Sequence, residues 1–144
     1  MPTFALAGSD SEYVSVMVHG YERAVTGDYH DDNWLTAVVE IKAGAFNGKF
    51  GATFLTAELI DFRDQLTQVY DTLKGEAVFS TLEEQLSICV TGNGRGDLEA
   101  RGAALDQPGI GNKLEFHFSS DQTHLVKTLG ELNETIAKFP VRSA

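Results

Sequence analysis

Phe46-Asn-Gly-Lys-Phe-Gly-Ala-Thr-Phe54 is followed, after Leu55, by Thr56-Ala-Glu-Leu-Ile-Asp-Phe-Arg-Asp-Gln-Leu-Thr-Gln-Val-Tyr-Asp-Thr-Leu-Lys-Gly75, and the hydrophobic period changes between the two. In the first stretch Phe46, Phe50 and Phe54 share one face with Gly48 and Ala52, while Asn47, Lys49 and Thr53 face the other way. That two-residue period belongs to a strand. In the second stretch Leu59, Phe62, Leu66, Val69 and Leu73 recur at steps of three and four, the stripe of an amphipathic helix. Thr56 is the expected N-cap, Glu58 and Asp61 suit the positive end of the helix dipole, and Gly75 after Lys74 is the expected stop.

The same two periods organise the flanks. Over residues 12–21, Val14, Val16 and Val18 alternate with Tyr13, Ser15, Met17, His19 and Tyr21. The polar run Thr26-Gly-Asp-Tyr-His-Asp-Asp-Asn33 reads as a loop. From Trp34 to Lys42, Leu35, Ala37, Val39 and Ile41 alternate with Trp34, Thr36, Val38, Glu40 and Lys42. These strands, joined by short connections, predict an antiparallel meander. After the helix, strand-like segments resume at 76–80, 86–91, 97–105 and 113–119, with Thr91-Gly-Asn-Gly-Arg-Gly96 as a hairpin turn. A second helix is expected from an Asp121 N-cap, with Leu125, Leu129, Leu132 and Ile136 on one face and its end before Pro140. The expected order is βββ-α-ββββ-α, about seven strands and two helices, in a mainly antiparallel α+β fold. Residues 1–144 read as a single domain. A group of strands closed by a helix occurs twice, with no residue-level match between the halves.

Acid outnumbers base, 21 Asp and Glu against 11 Lys and Arg, for a formal charge of −10 over 144 residues. Such a charge argues against a phosphate-seeking surface, and so against nucleic acid, and for a cationic partner or simple solubility. Cys89 is the single cysteine, so an internal disulfide is impossible and packing must supply the stability. Met-Pro-Thr-Phe-Ala-Leu-Ala-Gly-Ser-Asp10 lacks the basic start and long apolar run of a secretory signal. No apolar stretch approaches the ~20 residues of a membrane helix. A cytoplasmic location without membrane contact is the expectation.

No set of residues reads as an active site, a cofactor cradle or a metal centre. Asp28, Asp31 and Asp32 with His30 form the densest polar cluster, but without the alternating oxygen ligands and terminal Glu of a calcium loop. His19, His30, His117 and His124 lack any paired zinc spacing. Cys89, between Ile88 and Val90, has no local base and reads as a packing residue. Gly92, Gly94 and Gly96 do not match a dinucleotide fingerprint and precede a strand rather than a helix. Glu83 and Glu84 are adjacent and would face opposite sides of a strand. Asp61 and Asp64, with Glu58, form an acidic ridge beside the apolar stripe, the ordinary solvated face of a helix or a partner-binding ridge. Trp34, at the end of the acidic loop, reads as a core residue or an interface anchor. The candidate partner-binding residues are therefore Asp28, Asp31, Asp32, Trp34, Glu58, Asp61 and Asp64, in a protein expected to be no enzyme.

Three segments, Gly44–Ala52 running into Thr56–Phe62, Ala77–Leu86, and Asp106–Phe116 with Asp121–Thr123, together resemble the WapI-like immunity proteins of bacteria. The resemblance spans roughly residues 33–139. It implies a protein that binds and neutralises the nuclease tip of a contact-dependent toxin, protecting the producing cell. A nuclease face tends to be basic, and an inhibitor carrying carboxylates in place of phosphates gains steered association. Between residues 58 and 84, Glu58, Asp61, Asp64, Asp71, Glu76, Glu83 and Glu84 stand against Arg63 and Lys74. The rival readings are an α+β domain binding a small molecule or another protein, and an enzyme whose site assembles from distant residues. Exposed edge strands also leave room for a homodimer.

Overall fold

The alternating and helical periods fold as the spacing predicts, with two additions at the N-terminal end. The structure is a computed structural model that describes residues 2–9 and 11–142. Its elements are β1 (Thr3–Ser9), β2 (Glu12–Tyr21), α1 (Tyr29–Asp32), β3 (Trp34–Ala43), β4 (Phe46–Leu55), α2 (Thr56–Thr72), β5 (Lys74–Ser80), β6 (Leu86–Asn93), β7 (Asp97–Leu105), β8 (Lys113–Asp121) and α3 (Gln122–Lys138). The fold is α+β, with eight strands in two antiparallel four-stranded sheets ordered β1-β2-β3-β4 and β5-β6-β7-β8. β1 and the short α1 are the elements the periodicity does not reveal. Each sheet is a meander followed by one 17-residue helix, so the connectivity repeats.

The apolar sides of both sheets merge into one core. Val14, Val16, Val18, Leu35, Val39 and Ile41 of the first sheet and Phe79, Ile88, Val90 and Ala100 of the second are buried there with Leu59, Phe62, Leu66, Leu125 and Leu132 of the helices. Phe79 joins the layers. Its ring lies edge-on to Phe54 at 5.7 Å and tilted against Phe62 at 5.5 Å, geometries that favour the ring quadrupoles.

Each long helix packs along the first strand of the other half. On β1, Thr128 Oγ1 of α3 donates to the Ala5 carbonyl at 2.6 Å, and Glu131 accepts from the Ala5 N–H at 3.1 Å. On β5, Gln65 of α2 accepts from the Val78 N–H at 2.9 Å. Helix side chains thus satisfy edge groups that would otherwise seek another strand. β1 also runs close against β8. Ser120 Oγ donates to the Ala7 carbonyl at 2.7 Å, and a Cβ at Gly8 would fall 2.1 Å from the Ser119 carbonyl oxygen, so only glycine fits there.

The helix ends differ in detail from expectation. Leu55, not Thr56, is the N-cap of α2, and Glu58 reaches back to accept its N–H at 2.6 Å. The helix stops at Leu73, which turns left-handed at φ 62° before Gly75 is reached. Its carbonyl accepts from Gly94 N–H at 2.6 Å, which offsets part of the strain of a positive φ in a branched side chain. Asp121 caps α3 as expected, accepting from His124 N–H at 3.0 Å.

Candidate partner-binding surface

The acidic loop is built around a carboxylate turned inward. Asp28 caps α1, accepting from the Asp31 N–H at 3.1 Å, and both side chains are exposed. Asp32 is 1% exposed. Its carboxylate accepts from the Thr26 hydroxyl at 2.7 Å, the Thr26 N–H at 2.7 Å and the Gly27 N–H at 2.9 Å. These bonds, the Thr26 hydroxyl foremost, hold its pKa below the ordinary carboxylate value, with the Arg142 charge adding to them. Asp32 therefore shapes the loop, while Asp28 and Asp31 face solvent. Asp31 lies 3.7 Å from the Arg23 guanidinium, which offsets part of its charge.

Two residues that periodicity does not single out hold this loop in place. Asn33 is 2% exposed and its amide is saturated. It donates to the Tyr29 carbonyl at 2.7 Å and the Arg142 carbonyl at 2.8 Å. Its side-chain oxygen accepts from Arg142 N–H at 2.7 Å and Thr56 Oγ1 at 3.2 Å, and its main-chain carbonyl accepts from Thr56 N–H at 3.0 Å. Arg142 closes over the loop from the C-terminal side. Its Nε and Nη2 donate to the Asp32 carbonyl at 2.8 and 2.6 Å, Nη2 also reaches the Arg23 carbonyl at 2.8 Å, and the guanidinium sits 3.8 Å from the centre of the Tyr21 ring. The loop, the C-terminal segment and the start of α2 are one hydrogen-bonded unit. Neither residue carried a signal, because apart from Tyr29 their partners lie far away along the chain.

Trp34 leaves this unit on the side of β3 opposite the core and is half-buried, its indole stacked on His30 with ring centres 6.2 Å apart. On α2, Asp61 and Asp64 are exposed. Arg63 bridges Asp64 at 2.8 Å and Asn133 of α3 at 2.9 Å, so the ridge is braced against the second helix. Glu58 is half-buried and occupied at both oxygens, by Leu55 N–H and by Leu82 N–H at 2.8 Å. Burial raises its pKa, against the pull of those two backbone bonds. Of the seven candidates, Asp28, Asp31, Asp61 and Asp64 are exposed carboxylates, Trp34 is a half-buried aromatic, and Asp32 and Glu58 serve the scaffold. The Asn33–Thr56 contact makes the loop and the N-terminus of α2 neighbours.

Elsewhere the open side of the second sheet forms a trough of about 700 Å³, crossed by the in-register row Val78, Cys89, Arg101 and His117 with Glu99 and Glu115 beside it. The Cys89 thiol lies 3.6 Å from a Glu76 oxygen, and burial together with that charge pushes its pKa up, which keeps it a thiol rather than a nucleophilic thiolate. Among the described residues, no group of three or more His, Cys, Asp and Glu side chains is placed to hold a metal ion. No described helix is long and apolar enough to cross a membrane.

The three segments that carry the family resemblance lie along a seam between the halves, where the first is bonded to the second and shares a cleft with the third. Gln85, 4% exposed, donates to the Gly51 carbonyl at 3.1 Å and the Leu105 carbonyl at 3.3 Å, and accepts from Leu105 N–H at 2.8 Å. Glu58 ties the first segment to Leu82, and Asp106 closes the last turn by accepting from Asn112 N–H at 2.8 Å. The shared motifs are thus joints of the scaffold. A search of curated proteins finds no match. The model of the immunity protein WapI-like family matches residues 5–140, nearly the whole folded unit that this seam holds together, and the chain belongs to that family.

Proposed function

We propose that this protein is a non-enzymatic, cytoplasmic immunity protein that binds the basic catalytic face of a nuclease toxin and occludes it. Family membership supports the immunity role. The observation that carries the finer reading is the joining of two acidic elements, the α1 loop and α2, through Asn33 and Thr56. Asp28 and Asp31 on one side and Asp61 and Asp64 on the other offer exposed carboxylates where a nuclease would bind phosphates. Trp34 beside them supplies an aromatic anchor. Asp32 and Glu58 act from within, fixing the loop and the helix start.

The test uses a catalytically dead toxin domain from a neighbouring gene and stopped-flow association. Steering predicts a rate that falls about tenfold or more as salt rises from low to high concentration. The double variant D61K/D64K should slow association further while leaving the circular dichroism spectrum unchanged. A rate insensitive to salt, or unaltered affinity in the double variant, would remove the acidic surface from the mechanism.

A further inference from the structure

The first half of β4 is an open edge. The two-residue turn Gly44–Ala45 makes Ala43 and Phe46 the closing pair of the β3–β4 hairpin. Phe46, Gly48 and Phe50 therefore direct their backbone groups to β3, while Asn47, Lys49 and Gly51 direct theirs outward. The Gly51 carbonyl is taken by Gln85. Among the described residues, no hydrogen bond reaches the outward backbone groups of Asn47 and Lys49. Beside this edge lies a cleft of about 280 Å³ lined by Ile41, Phe46, Phe50 and Leu114, with Phe46 itself 68% exposed.

Gly48 sits at the middle of the open stretch, and the lone chain gives no reason for a glycine there. Its φ is not positive, and a Cβ would meet nothing within 4 Å. Glycine inside a strand weakens it and marks a place where another backbone comes close.

We propose that β4 pairs antiparallel with β4 of a second copy about a two-fold axis through Gly48. In this register Asn47 faces Lys49 of the other copy in both directions, so all four outward groups on each strand are paired. Gly48 faces Gly48 as a non-hydrogen-bonded pair, where Cα atoms approach to about 4.5 Å. Phe46 faces Phe50 twice, covering the exposed ring and the mouth of the cleft. The neighbouring registers fail. One sets Lys49 against Lys49 and needs the carbonyl that Gln85 occupies, and the other pairs only Asn47 with itself before running into the turn. Charge does not oppose a copy of the same chain at this end, because Lys42, Lys49 and Lys113 are interspersed with Glu40 and Asp106 while the loop and helix acids lie elsewhere.

Sedimentation velocity from micromolar to sub-millimolar concentration should show the full chain passing to twice its 15.7 kDa mass. Gly48→Val, which the isolated fold accommodates, should keep the melting temperature and raise the dimer dissociation constant about a hundredfold or more. Gly48→Cys in a Cys89→Ser background should form a disulfide-linked dimer under mild oxidant, since the expected Cα separation lies within disulfide range. A wild-type chain that stays monomeric at sub-millimolar concentration overturns the proposal. So does a Gly48→Val variant that dimerises like the wild type, or an absent cross-link in a chain that still dimerises. Protection of the Asn47 and Lys49 amides only when a toxin domain is added would assign this edge to a partner's strand and likewise overturn it. None of these readouts depends on the acidic surface.

Discussion

Replacing Arg142 with alanine tests whether the acidic loop is held from the C-terminal side. The variant loses the side-chain bonds to the Asp32 and Arg23 carbonyls and the contact with the Tyr21 ring, while the main-chain bond from residue 142 to Asn33 remains. A net hydrogen bond from a charged group contributes roughly 1.5–3 kcal/mol, and a cation over an exposed ring about 0.5–1 kcal/mol. The guanidinium is half-exposed, so water replaces part of what is lost. A net loss of about 2 kcal/mol follows, equivalent to a fall of roughly 6 °C in melting temperature for a chain of this size. Urea unfolding followed by Trp34 fluorescence measures it. Amide exchange at Thr26 and Gly27, whose N–H groups bond to Asp32, should accelerate before global unfolding. Arg142→Lys should recover less than half, because an ammonium lacks the planar fork that reaches two carbonyls. A loss below about 0.5 kcal/mol, or full rescue by lysine, would refute the reasoning.

Other consequences follow from single residues. Asp32 has a folded pKa below its ordinary 3.8, so its stabilisation is complete above that value and disappears as pH falls through the depressed one; Asp32→Asn should lower the urea midpoint at neutral pH and flatten its acid limb. Glu84 is exposed at φ 57°, and Glu84→Gly should raise stability by about 0.5–1 kcal/mol in the same assay. Phe79→Ala, which empties the junction of Phe54 and Phe62, should cost about 3–5 kcal/mol and broaden the thermal transition seen by calorimetry.

What the chain discloses in advance depends on how local the cause is. Leu59, Phe62, Leu66 and Val69 are all buried on α2 because a helix repeats its face every few residues, and seventeen residues give the repeat time to declare itself. β1 is hidden because Phe4 and Leu6 alternate only briefly with small residues, whose smallness reflects the close passage of α3 and β8. The four residues of α1 are too few for any period. Within the acidic loop, Asp28, Asp31 and Asp32 look alike in sequence and differ in fate. Only Asp32 has the Thr26 and Gly27 donors within reach once the loop is folded back, and that reversal depends on Asn33 and Arg142, whose contacts span 109 and 110 residues. Long-range pairing of this kind leaves no pattern in a single chain.

The treatment of sheet edges connects the scaffold to the way the protein can meet partners. Four edges arise from two meanders, and three are covered inside the chain: β1 by Thr128, Glu131 and Ser120, β5 by Gln65, and β8 at Ser119 and Ser120 by the close passage of β1. Along β4 the Gly51 carbonyl is answered by Gln85 and the Leu55 N–H by Glu58, leaving the stretch around Gly48 unpaired. That stretch and the acidic unit sit at opposite ends of the same strand, because β4 runs from Phe46 to Leu55 and directly into α2. Seven residues of strand separate Gly48 from Leu55, a distance of about 23 Å. A dimer through β4 would therefore leave both acidic units uncovered and point them away from the axis. It would bind two toxin domains independently, so the association rate per site should be the same for the wild-type dimer and the Gly48→Val monomer. A rate difference between the two, measured with the same toxin domain at equal site concentration, would mean that the edge and the acidic unit share a surface.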